Sequence, residues 1–76
     1  MRLDESKIDD AVLALLYITL NPEDHRAWKS HDWDAMNRLH QQGFISNPAT
    51  KNKSVVLTEE GEAKAKALAQ KLFGAD

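Results

Sequence analysis

Apolar residues recur every three or four positions from Ile8 to Leu20, which is the period of a helix. At about 100° per residue, Ile8, Ala11, Val12, Leu15, Leu16 and Thr19 share one face. Leu13, Tyr17, Ile18 and Leu20 spread well beyond that face. The pattern predicts a helix from about Ser6 or Lys7 to Leu20, with Ser6 as cap, Asp9 and Asp10 in the positive first turn, and Asn21-Pro22 as the stop. A face this wide predicts burial on more than one side, by the rest of the domain or by a second copy. Leu13, Tyr17, Ile18 and Leu20 are therefore the candidate dimer or partner interface.

The pattern then shortens. In "NPEDHRAWKSH" a cap, a proline and two acids form a helix-start signal, predicting a short helix over 22 to 28. Asp32 caps a stronger helix, Trp33 to Gln42, with Trp33, Met36, Leu39 and His40 as its apolar stripe and Asp34, Asn37, Arg38, Gln41 and Gln42 outward. Gly43 ends it, in a position to take the left-handed conformation that lets Phe44 fold back on Leu39. "FIS" and "SVVLT" read as two strands joined by "NPATKNK", a hairpin with an exposed tip that carries Lys51, Asn52 and Lys53. At Thr58 the period changes from two to 3.6. Thr58 caps a last helix with Glu59 and Glu60 in its first turn and a narrow face of Ala65, Leu68, Ala69 and Leu72. The expected fold is mainly α with a small β-hairpin. In detail it is a winged helix-turn-helix, with a three-helix core, a wing and a C-terminal helix, in one domain over residues 1–76.

A resemblance supports that order. "MNRLHQQGFI" followed by a loop and "SVVLTEEG" resembles the recognition-helix end, wing and final-helix start of MarR-type winged-helix regulators, over about half the chain. Over nearly the whole length, "KIDDAVLALLY", "WKSHDWDAMNRLH" and "KSVVLTEEG" together resemble a family of short bacterial proteins carrying a domain of unknown function. The first resemblance implies DNA binding. The second brings no activity with it. Two features depart from the regulator pattern: "NPATKNK" lacks the usual Asp-x-Arg, and the helix that should enter a groove begins "DWD".

Charge and composition narrow the partners. The 76 residues carry a net charge of −2, with no cysteine. Residues 25 to 58 hold the only cationic surplus, from Arg26, Lys29, Arg38, Lys51 and Lys53 against Asp32 and Asp34. That is modest for a nucleic-acid binder. Lack of Cys removes disulfides and thiol chemistry and fits a reducing compartment, so the cytoplasm is expected. The run Ala11 to Leu20 is too short to cross a bilayer, and the acidic "MRLDESKIDD" before it is unlike a secretory leader, so the mature protein is expected to be the whole chain.

Catalytic and metal chemistry find little support. His25, His31 and His40 with their neighbouring Asp residues form no His-x-x-x-His or Glu-x-x-His pair, and the three glycines stand apart. No cofactor, metal or enzyme activity is expected. Trp28 and Trp33 are read as anchors of the short second helix in the core, with an exposed stacking platform or hot spot as the competing reading. Two functions remain. One is a homodimeric DNA-binding regulator, with Asn37, Arg38, Gln41 and Gln42 toward base edges and Lys51, Asn52 and Lys53 toward phosphates. The other is a protein-interaction or dimerisation module on the same scaffold, without nucleic acid.

Overall fold

The structure, a computed structural model, describes residues 1–75. The chain forms three helices and a two-stranded antiparallel sheet, in the order α1 (Glu5–Ile18), β1 (Arg26–Trp28), α2 (Trp33–Gln41), β2 (Ser54–Val56) and α3 (Glu59–Phe73). The first helix begins earlier and ends earlier than its periodicity predicts. Asp4, not Ser6, is its cap: the Asp4 carboxylate accepts from the Ser6 amide at 2.9 Å, the Ser6 hydroxyl at 2.7 Å and the Lys7 amide at 3.4 Å. A carboxylate is the stronger acceptor there, and it also answers the helix dipole.

α1 is the spine of the molecule. Leu13, Ala14 and Leu16 are fully buried, and α3 packs chiefly along one flank of α1 while α2 packs along another. The core continues through Ala35, Met36 and Leu39 of α2, Val55 of β2, and Ile45, Leu57 and Ala65. Two flanks of α1 are thus covered by its own chain. Leu15 and Ile18 are left exposed.

The largest correction concerns residues 22 to 28, where the expected short helix is absent. Asn21 to His25 form a turn, and Arg26–Trp28 is a strand. The Asn21 side chain accepts from the Glu23 amide at 2.9 Å, the His25 amide donates to the Asn21 carbonyl at 2.8 Å, and His25 takes a left-handed φ of 59°. Asn-Pro followed by acids opens a turn as readily as a helix. Here strand pairing decides: Arg26, Ala27 and Trp28 face Val56, Val55 and Ser54, which buries Ala27 against the core. Trp28 and Trp33, expected in the core, are exposed instead (60% and 51%), because Trp28 alternates to the outer face of the sheet and Trp33 opens α2 on its solvent side.

α2 keeps its expected cap, with the Asp32 carboxylate accepting from the Ala35 amide at 3.0 Å. Its buried side is Ala35, Met36 and Leu39. Neither Trp33 nor His40 joins it, although the His40 ring donates to the Ile45 carbonyl at 3.0 Å. At the C-terminus the Phe44 amide donates to the Leu39 carbonyl and the Gly43 amide to that of His40, both at 3.0 Å, with Gly43 at φ 84°. This paired closure is the Schellman motif.

The expected hairpin is reduced. Ile45 makes one antiparallel bridge with Leu57, and the Ser46 amide donates to the Val56 carbonyl at 2.8 Å, so the segment after α2 flanks β2 without forming a named strand. The full partner of β2 is β1. Thr58 caps α3 as expected, its hydroxyl oxygen accepting from the Gly61 amide at 3.0 Å while the hydroxyl donates to the Gly43 carbonyl at 2.7 Å. Gly61 lies so close to the Phe44 backbone that a Cβ would collide with the Phe44 carbonyl oxygen.

Candidate functional site

The residues expected to read nucleic acid fall into two groups that do different things. Arg38 turns toward α1 and grips Asp9. Its Nε donates to both Asp9 carboxylate oxygens at 3.0 and 2.9 Å, its Nη2 to Oδ1 at 2.8 Å, and its Nη1 to Glu5 at 3.1 Å. Asp9, expected in the positive first turn of α1, is buried at 5% exposure. These hydrogen bonds to Asp9 push the Arg38 guanidinium further above its already high range. A forked guanidinium on a buried carboxylate is the strongest geometry available to this pair. Asn37 is half-buried, and Gln41 and Gln42 are exposed.

The second group stands apart from α2. Lys51, Asn52 and Lys53 are exposed in the loop before β2. That loop is anchored: Pro48 is buried, and the Lys29 ammonium donates to the Pro48 and Thr50 carbonyls, both at 2.7 Å. Arg26 lies over the sheet with Nη1 donating to the Ser54 hydroxyl at 3.2 Å. Of the five cations in the middle of the chain, Arg38, Lys29 and Arg26 are thus engaged internally. Beside α2, a shallow cleft is lined by Asp4, Glu5, Asp32 and Asp34 together with Arg2 and Arg38. The start of the helix therefore carries acids where a phosphate would approach.

The expected partner interface divides as well. Leu13 is wholly inside the core and is unable to meet another chain; Tyr17 and Leu20 are partly buried against the core, and Ile18 is exposed at 58%. Position explains the split, since Leu13 belongs to the core cluster while Ile18 is the exposed last residue of α1. Tyr17 and Leu20 border an open groove with Pro22, His25, Glu62 and Lys66. Across it the His25 ring Nδ1 donates to the Glu62 carboxylate at 2.8 Å. Periodicity gave no sign of this link, because its ends lie 37 residues apart. The Asp9–Arg38 pair was equally hidden, though an acid facing the apolar side of a helix is a usable signal for one.

Among the described residues no three His, Cys, Asp or Glu side chains gather as a metal site needs, and no helix is long and apolar enough to cross a membrane.

A family model described as "Domain of unknown function (DUF6429)" matches residues 4–75. An uncharacterized protein, y4hR, of Sinorhizobium fredii (strain NBRC 101917 / NGR234) is 52% identical over 73 residues, covering 96% of this chain and 97% of that protein. No solved structure matches.

Proposed function

Because this chain belongs to the DUF6429 family, whose description carries no activity, we propose its role from its own surfaces: a small protein-interaction module on a winged-helix-like scaffold. The order of helices, the antiparallel strands and the loop beside them are compatible with that scaffold. The reading rests on Arg38. A guanidinium that spends its donors on Asp9 and Glu5 is not free for a phosphate or a guanine edge, and Asp32 and Asp34 repel the backbone at the end of α2 that a groove would receive. Trp28 and Trp33, by contrast, stand in solvent, and exposed Trp is the side chain most enriched at protein hot spots. The proposed place of action is the cytoplasm, with another chain or a second copy as partner.

One observation favours the alternative, a DNA-binding regulator. Lys51, Asn52 and Lys53 are exposed on an anchored loop, where a wing would touch phosphates. Titration of labelled duplex DNA at low and physiological salt separates the two. The interaction module gives weak binding at low salt that vanishes at physiological salt. Tight binding whose log K falls by roughly 0.9 per contacted phosphate against log salt, and which Lys51→Ala with Lys53→Ala abolishes, would reject it.

A further inference from the structure

On α1, the residues Ile8, Ala11, Leu15 and Ile18 follow one another at spacings of three, four and three. That alternation is the seam along which two helices interlock side chains. Leu15 and Ile18 are 40% and 58% exposed and Ala11 is partly open, so the seam lies on the exposed flank of α1, with Ile8, partly packed against the core beside α2, at its edge. We propose that a second copy of this chain covers it, with α1 lying antiparallel against its counterpart about a two-fold axis. The proposal rests on the protein-interaction reading and names the partner.

The pattern of the seam favours a second copy over an unrelated chain. The seam is self-complementary when reversed: Ile8 meets Ile18 of the second copy, and Ala11 meets Leu15. At the centre a small residue thus faces a large one, which lets the helices approach closely and fills the space between them. An isologous contact of this kind closes on itself and does not propagate into a filament.

Electrostatics support the same direction. Antiparallel helices set opposite dipole ends together. α1 has no basic residue in its last turn, and Lys7, next to the seam at the opposite end, would lie beside the last turn of the second copy. A parallel pairing would set Leu15 against Leu15 and align the dipoles.

A standard interface removes roughly 800 Å² from each partner. Two helices of this length cannot supply all of that area. At the end of α3, Leu72 and Phe73 are also exposed, at 48% and 47%.

Light scattering on the eluting full-length chain, at micromolar to sub-millimolar concentration, tests this. Wild type is expected at twice the mass of one chain. Leu15→Glu and Ile18→Glu, made separately at positions already exposed, are expected to halve the mass with an unchanged far-UV circular dichroism spectrum. A mixture of Ala11→Cys and Leu15→Cys chains is expected to form a disulfide that Leu15→Cys alone does not, and the protein has no other thiol to confuse the result. A wild-type monomer throughout, a dimer that survives both glutamates, or ready crosslinking of Leu15→Cys to itself would each overturn the proposal. A monomer that also ignores duplex DNA would leave the interaction reading standing with a different partner.

Discussion

Gly61 occupies the first turn of α3, where alanine would ordinarily stabilise a helix by about 1 kcal/mol. Its contact with the Phe44 carbonyl reverses that sign. Gly61→Ala is expected to lower the urea midpoint, whereas a gain would mean that α3 and the turn after α2 do not meet there. Gly43, at φ 84°, has open space around its Cα but a backbone that other residues resist, so Gly43→Ala should cost about 1 kcal/mol. Thr58→Ala should also cost about 1 kcal/mol, since it removes the cap of α3 along with the hydroxyl's bond to Gly43. Acid sensitivity has a residue-level origin at Asp4. The Ser6 hydroxyl, then the Lys7 and Ser6 amides, hold its carboxyl below the ordinary 3.8. Its contribution is complete above that value and is lost as pH falls through the lowered one. Asp4→Asn keeps an N-cap without the charge, so the stability gap between it and wild type should narrow as pH drops below 3.8.

At the scale of elements, the sequence was most legible where one residue punctuates sharply. Asp32 and Gly43 set the limits of α2, and Thr58 the start of α3, to within a residue, because capping and the left-handed turn are local chemistry. β1 was not legible. Three residues are too few to display a period, and the strand exists only because β2, 26 residues after its end, offers it a partner. Long-range pairing overrode a local helix-start signal that was itself ambiguous. The same distance hid Arg38: nothing near it says whether it faces solvent or a buried acid on another helix. Native-state hydrogen exchange checks the strand directly. The Ala27 and Lys29 amides face β2 and should be protected, while the Trp28 amide between them should exchange quickly. Protection of all three in succession would restore the helix.

For the whole molecule, the decisive feature is how α2 is fastened. Its Arg38 ties it to α1 through a buried carboxylate, so the one cation on the face that would read a groove is turned inward, while Gln41 and Gln42 stay exposed. Removing one partner leaves the other buried and unpaired, which is more damaging than removing both. The measurement that goes straight to this point is a double-mutant cycle on folding stability with Asp9→Ala, Arg38→Ala and the pair. If Arg38 is a structural clamp, each single change destabilises strongly and the double mutant is far more stable than their sum implies. If the two losses simply add, with Arg38→Ala close to neutral, the guanidinium is free in solution and the case for a nucleic-acid-reading helix reopens.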